Sequence, residues 1–144
     1  MKLAKRLEGC IIGGAIGDAM GSSFENQIEQ DSETYHFGAP PKQTERDWGI
    51  TDDTQLTIGT LRAMTKDKEL NPEIFANEYL NLYNKRILRG LGGTTLKALR
   101  ELKHGGHWSQ VGRRGEYAAG NGAAMRIAPL AFSRNLSKSK VRDI

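Results

Sequence analysis

Apolar residues recur three and four positions apart along most of the chain, which is the spacing of an amphipathic α-helix. The first stretch carries Leu3, Leu7 and Ile11, followed by Ala15 and Ala19. Later stretches with this period cover residues 51–66, 72–83, 94–104 and 123–133, whereas residues 26–49 are polar and predict a long loop. Because no alternating strand pattern of useful length occurs, the sequence predicts an all-α fold.

Local signals mark where several of these helices begin or bend. Asn71 followed by Pro72 is typical of a helix start with proline at its first position. Thr94 or Thr95 is predicted to cap the helix that follows a glycine turn. Pro129 lies inside the last predicted helix, so we expect it to kink that helix rather than to leave it straight.

The first predicted helix carries an unusual row of glycines. Gly9, Gly13, Gly17 and Gly21 fall four residues apart and therefore form a bare stripe along one side. Each interior glycine costs a helix about 1 kcal/mol relative to alanine. A compensating benefit is expected, and the close approach of another helix or of a ligand is the usual one.

Composition sets broad limits on function. A chain of 144 residues has room for one ordinary domain, and its net charge of +4 suits an anionic partner. Nucleic acid is an unlikely partner, because its support is the overall charge and a cluster near the C-terminus: Arg134, Lys138, Lys140 and Arg142. The single cysteine, Cys10, is typical of a reducing compartment. No segment is long enough to span a bilayer, so we expect no membrane partner and a cytoplasmic location.

The most informative motif is Thr51-Asp52-Asp53-Thr54, at the start of the second predicted helix. Adjacent carboxylates and hydroxyls form a compact set of oxygen ligands for Mg²⁺, Mn²⁺ or Ca²⁺. Threonine and aspartate are also favoured N-caps, and acidic residues in a first turn complement the helix dipole. The motif by itself therefore leaves capping and metal binding open.

A second motif, Gly120-Asn121-Gly122, precedes the last predicted helix. Backbone N–H groups in such a turn suit an anion or a ribose-phosphate, although a plain tight turn has the same composition. Arg126 follows closely and could pair with a phosphate or with a buried carboxylate, of which we favour the carboxylate. Asp18 and Glu25, seven residues apart, share a face if the first helix extends that far.

Taken together, three strings resemble the ADP-ribosylglycohydrolase family, which includes the dinitrogenase reductase-activating glycohydrolases. They are residues 13–21 with Glu25, residues 51–55, and residues 120–126. Residues 92–95 resemble a fourth family loop, and the likeness extends from about Glu8 to Ser133. The resemblance implies an all-helical fold around a cleft that holds two Mg²⁺ ions, with Mn²⁺ as an alternative.

The resemblance also implies roles for particular residues. Thr51, Asp52 and Asp53 would be metal ligands, and Asp53 would also take part in catalysis. Glu25 would lie on a flap over the metals, and Asp18 would lie beside them in the first helix, both in the catalytic group. The pocket for ADP-ribose would be lined by Gly92, Gly93, Gly120, Asn121 and Gly122.

The implied reaction is hydrolysis of the bond between the anomeric carbon of ADP-ribose and a protein side chain, either arginine or serine. ADP-ribose or an ADP-ribosylated protein is accordingly the expected partner. The family completes its metal site with a second acidic motif, Asp-x-Asp-Thr, late in the domain. The aspartates of this sequence after Thr54 are Asp67 and Asp143, and neither lies in such a motif. Residues 1–144 therefore resemble the N-terminal part of a single domain, about half its length.

Such an incomplete site predicts weak metal binding and no activity for the isolated chain. Mg²⁺ prefers six oxygen ligands, and one acidic strip does not neutralise two divalent ions. The alternative function is a non-catalytic module that binds ADP-ribose or a related nucleotide. A half-length domain would also expose surfaces that favour a homo-oligomer or a complementary C-terminal chain.

Overall fold

The computed structural model describes residues 3–22, 48–116, 118 and 120–133. Within these ranges every regular element is helical, so the all-α prediction is confirmed. The elements are α1 (Leu3–Gly21), α2 (Asp52–Lys66), α3 (Pro72–Asn84), α4 (Gly93–Lys103) and two 3₁₀ helices (Ala124–Arg126 and Ala128–Phe132). The predicted flap residue Glu25, most of the predicted 26–49 loop and the C-terminal basic cluster lie outside the described residues.

The core forms where α2 packs against α3. Its buried apolar side chains come from α2, the α2–α3 connection, α3, α4 and the second 3₁₀ helix: Leu56, Ala63, Leu70, Phe75, Tyr79, Leu82, Leu99 and Leu130. One polar contact lies within it, because the Thr60 hydroxyl and the Tyr79 hydroxyl are 2.8 Å apart and both side chains are buried. This contact satisfies two groups that would otherwise be costly to bury.

The starts of α2 and α3 agree with their sequence signals. Thr51 is the N-cap of α2, and its hydroxyl oxygen accepts a hydrogen bond from the Asp53 N–H. Asn71 is the N-cap of α3, its side chain accepts from the Glu73 N–H, and Pro72 occupies the first turn. Both caps satisfy backbone donors that a helix leaves unpaired at its start.

The prediction that Thr94 or Thr95 caps α4 was wrong. The helix begins at Gly93, before both threonines. Its N-cap is Gly92, which supplies no side-chain hydrogen bond. Gly92 has an extended backbone, so both threonines fall inside the first turn. The side chain of Thr95 is buried there, where it packs against the chain at Gly122.

The prediction of one kinked α-helix over residues 123–133 was also wrong. This segment forms two short 3₁₀ helices instead. Pro129 has no N–H and therefore cannot donate to the carbonyl of Met125, four residues earlier. That carbonyl lies 3.1 Å from the Thr57 hydroxyl, whose single hydrogen is shared with the Asp53 carbonyl at 2.7 Å. The contact joins this segment to α2.

Helix α1 contacts α2 and the second 3₁₀ helix, but none of its residues is buried. Ile12 and Ile16, one turn apart, are 52% and 54% exposed. The expected close approach of another helix to the glycine stripe is not found among the described residues, since a Cβ added at any of its glycines has no neighbour within 4 Å. In this part of the chain no helix is long and apolar enough to cross a membrane.

Gly59 sets the distance between α2 and α3. A Cβ added there would lie 3.0 Å from Cδ1 of Leu82 and 3.1 Å from Cδ1 of Tyr79. We expect Gly59→Val to lower the free energy of unfolding by about 1–3 kcal/mol, because its methyl groups would overpack the core. Chemical denaturation measures the change. Gly13→Val is the matched control, and an equal loss in both variants would contradict the packing argument.

Candidate active site

The N-terminus of α2 is capped by a carboxylate from α1. Oδ1 of Asp18 accepts a hydrogen bond of 2.6 Å from the Thr51 hydroxyl. Oδ2 accepts from the Thr51 N–H at 2.9 Å, from the Thr54 N–H at 3.2 Å and from the Thr54 hydroxyl at 2.5 Å. One side chain, 33 residues from Thr51, thus satisfies two backbone donors at the positive end of the helix.

These contacts shift the pKa values of two neighbouring carboxyls in opposite directions. Burial raises the pKa of Asp18, but the hydrogen bonds from Thr51 and Thr54 outweigh it and hold that pKa below its ordinary value of 3.8. The pKa of Asp53 is raised above 3.8, first by burial and then by the nearby charge of Asp18. Asp18 is therefore the stably ionised member, and the negative charge on Asp53 carries the greater cost.

Two glycine-containing segments meet the start of α2 around a cavity of about 270 Å³, which we call the glycine-loop cavity. Its walls come from Asp52 and Asp53, from Gly90 with residues 92–95, and from residues 120–122 with Met125. The structure thus brings together Asp52, Asp53 and both predicted pocket-lining loops. The predicted ligand Thr51 lies directly behind them, buried as the N-cap of α2.

Close backbone approaches hold the cavity walls in place. The Asp52 N–H donates a 2.7 Å hydrogen bond to the carbonyl of Arg89. Gly90 then turns with φ of 75°, and a Cβ added to it would lie 3.3 Å from Cβ of Thr51. A Cβ added to Gly122 would lie only 2.5 Å from the Thr95 hydroxyl oxygen. Larger residues at both glycine positions would push the loops away from α2 and α4.

A second cavity, of about 310 Å³, lies between α1 and α2. Gly17 and Gly21 of the stripe line it, together with Asp18. Asp53 and Met125 border both this cavity and the glycine-loop cavity. Asp53 is therefore accessible from two sides, which its position in the sequence motif did not indicate.

The prediction that Arg126 pairs with a buried carboxylate was wrong for the residues that the structure describes. Its guanidinium lies 4.5 Å from the centroid of the Tyr79 ring, a cation–π arrangement. The first 3₁₀ helix turns Arg126 toward the core, where the Thr60 contact fixes the tyrosine ring. Sequence reasoning assigned no role to Tyr79, because no local pattern links α3 to the glycine loop.

The donor set for Mg²⁺ is incomplete within the described ranges. Asp52 and Asp53 supply carboxylate oxygens to one cavity, but no group of three or more His, Cys, Asp or Glu residues that could hold a metal ion occurs there. Both oxygens of Asp18 are engaged by the α2 cap. Since Mg²⁺ prefers six oxygen ligands, these residues do not fit a two-metal site by themselves.

Sequence comparison identifies the family of this chain. The model of the ADP-ribosylglycohydrolase family matches residues 1–143. The chain belongs to the ADP-ribosylglycohydrolase family. The motifs at residues 51–55 and 120–126, which lie far apart in sequence, both fall within the matched range, and in this structure both border the glycine-loop cavity.

Curated relatives of this family member are considerably longer. An uncharacterized protein of Archaeoglobus fulgidus is 30% identical, over 93% of this chain and 46% of that protein. The ADP-ribosyl-[dinitrogen reductase] glycohydrolase of Rhodospirillum rubrum is 29% identical, over 89% of this chain and 44% of the relative. ADP-ribosylhydrolase ARH3 of Xenopus tropicalis is 27% identical, over 89% of this chain and 39% of that relative. The chain spans less than half the length of each relative.

The interhelical cap predicts a measurable loss of stability. We expect Asp18→Ala to lower the free energy of unfolding by about 1–2 kcal/mol, because the donors of Thr51 and Thr54 lose their acceptor. Asp18→Asn should lose less, since one amide oxygen remains. Urea denaturation at neutral pH measures both variants, and equal stability of wild type and Asp18→Ala would contradict the role of the cap.

The same cap predicts a dependence on pH. Because folding lowers the pKa of Asp18, its stabilising contribution is present above the ordinary value of 3.8 and is lost as pH falls through the lower, folded-state value. The stability difference between wild type and Asp18→Ala should therefore shrink below about pH 4. Denaturation of both proteins across this range measures it, and a difference that grew on acidification would contradict the assignment.

Proposed function

We propose that this chain forms the ADP-ribose-facing part of an ADP-ribosylglycohydrolase. The observation that supports this most directly is the glycine-loop cavity, where two carboxylates of α2 face residues 92–95 and 120–122. The complete protein would hydrolyse the bond between the anomeric carbon of ADP-ribose and an arginine or serine side chain. The names of the Rhodospirillum and Xenopus relatives support this class of reaction.

The cavity offers complementary chemistry at its two ends. The N-terminus of α4 carries no side-chain cap, and its residues Gly93 and Thr94 line the cavity, so its backbone donors suit a phosphate group. Asp52 and Asp53 would face the ribose. Carboxylates at that position stabilise the positive charge that develops at an anomeric carbon during glycosidic cleavage. We assign the diphosphate to the α4 end and the reacting ribose to the α2 end.

The metal requirement is also a proposal. In the complete domain Thr51, Asp52 and Asp53 would contribute to the binding of two Mg²⁺ ions, with Mn²⁺ as the alternative. A Mg²⁺ ion bound there would supply positive charge next to the ribose. Because the described residues lack further acidic ligands, we propose that the isolated chain binds Mg²⁺ weakly and does not catalyse hydrolysis at an enzymatic rate.

A non-catalytic binding module is the second candidate function. It is favoured by one observation: both glycine loops are assembled around the cavity within this chain, whereas a complete acidic metal site is not found in its described parts. Binding of ADP-ribose without metal would favour this candidate.

The exposed apolar side of α1 supports a proposal about assembly. Ile12, Ile16 and Met20 follow one another at four-residue intervals, and each is more than 40% exposed. An apolar stripe of this kind is normally covered. We propose that a complementary polypeptide, corresponding to the part of the relatives that this chain does not match, or a second copy of the chain covers it.

Binding of ADP-ribose to the glycine-loop cavity can be tested by filling the cavity. Gly92 has a backbone conformation that any residue adopts, and a Cβ added there meets no atom within 4 Å. We expect Gly92→Val to weaken ADP-ribose binding by at least about tenfold, with unchanged thermal stability, because the side chain would occupy ligand space. Isothermal titration measures this, with Gly13→Val on α1 as the control. Equal affinity of both variants would contradict the location of the site.

Metal dependence is tested separately. We expect Mg²⁺ to bind the isolated chain with a dissociation constant of about 1 mM or weaker, because two carboxylates provide few of its ligands. Titration of Mg²⁺ into wild type and Asp53→Asn measures this, and ADP-ribose titration in EDTA shows whether ligand binding needs metal. Tight Mg²⁺ binding that Asp53→Asn abolishes, with rapid release of ADP-ribose from a modified protein, would contradict the proposed incompleteness.

A further inference from the structure

The side-chain amide of Gln55 joins α2 to the segment that leads into the glycine-loop cavity. Its Nε2 donates a 2.8 Å hydrogen bond to the carbonyl of Ile87, and its Oε1 accepts a 2.9 Å hydrogen bond from the Arg89 N–H. The Asp52 N–H adds a third bond, of 2.7 Å, to the carbonyl of Arg89. Residues 87–89 are thus fixed to the first turn of α2 by three hydrogen bonds, which we call the amide clamp.

Glutamine is chemically specific in this position. The amide presents one donor to a carbonyl and one acceptor to an N–H from the same planar group. Glutamate would place a second acceptor against the Ile87 carbonyl, and leucine of similar size would supply neither bond. The side chain of Gln55 is half-buried and does not line the cavity itself, so any effect on a ligand must pass through the residues that it holds.

Those residues lead directly into the cavity wall. Gly90 follows Arg89, has φ of 75° and packs so closely that an added Cβ would lie 3.3 Å from Cβ of Thr51 and 3.5 Å from Oδ1 of Asp52. Gly90, Gly92 and Gly93 all line the cavity. A small displacement of residues 87–89 would therefore move this wall relative to the carboxylates of α2.

We propose that Gln55 is a positioning residue, which sets the wall formed by Gly90, Gly92 and Gly93 at the distance from Asp52 and Asp53 that ADP-ribose requires. The proposal deepens the function proposed above and rests on it. Because its two hydrogen bonds are open to solvent, where water competes for the same groups, the half-buried Gln55 contributes little to global stability. Its effect is local. Gln55 keeps the wall ordered, and the order of the wall determines how well the ligand fits.

The test uses Gln55→Leu in the full chain, with Gln110→Leu as the matched control because Gln110 lies exposed in a turn and lines neither cavity. Amide hydrogen exchange and glycine amide chemical shifts, measured by NMR, report on the clamp and the wall. Isothermal titration gives ADP-ribose affinity, and thermal unfolding gives stability.

For Gln55→Leu we expect about tenfold faster exchange at the Arg89 amide and shifted signals of Gly90 and Gly92. We also expect about tenfold weaker ADP-ribose binding and a melting temperature within about 4 °C of wild type.

Each alternative result contradicts a particular step. Unchanged exchange at Arg89 would show that the clamp does not hold this segment. Faster exchange with unchanged ADP-ribose affinity would show that the clamp does not position the wall for the ligand. Failure of Gln55→Leu to fold would assign Gln55 to global stability and overturn the proposal. If wild type does not bind ADP-ribose, the proposed function fails, and the glycine shifts then decide the positioning role by themselves.

Discussion

The carboxylate of Asp18 on the first turn of α2 is the interaction on which the rest of the site depends. It satisfies donors of Thr51 and Thr54, and in doing so it ties α1, a helix without a buried residue, to the core. The cap also fixes the direction in which α2 begins. Asp52 and Asp53, the next residues in that turn, are thereby presented to the cavity.

The cap contributes to a concentration of negative charge at the N-terminus of α2. Asp18, Asp52 and Asp53 lie around a single helix N-terminus, whose dipole and donors stabilise them unequally. Asp18 receives the hydrogen bonds and a lowered pKa, whereas burial and the charge of Asp18 raise the pKa of Asp53. A positively charged group beside Asp53 would relieve this cost.

The opposite wall of the cavity depends on close backbone contact more than on charge. Gly122 approaches the Thr95 hydroxyl, and Gly90 packs on the start of α2. Two segments distant in sequence thus line one cavity. Each contains a glycine whose missing side chain allows a neighbouring residue to approach closely. The family relationship accounts for the occurrence of these motifs in one chain, and the packing explains the glycines at positions 90 and 122.

Residue pattern alone predicted the helical class and the helix start at Asn71 and Pro72, and it offered capping as one of two interpretations of Thr51, whereas the loops of the cavity were indicated by the family resemblance. The helical class and the two caps depend on periodicity or on side chains that bond to backbone two residues away. The predictions for the start of α4 and for the segment around Pro129 were wrong, because Thr95 is buried inside the first turn of α4 and Pro129 has no N–H to donate. The cap by Asp18, the cation–π contact of Arg126 with Tyr79 and the amide clamp of Gln55 were decided by tertiary structure alone. Their partners lie more than 30 residues apart, and only the packing of whole helices brings such groups within hydrogen-bonding or stacking distance.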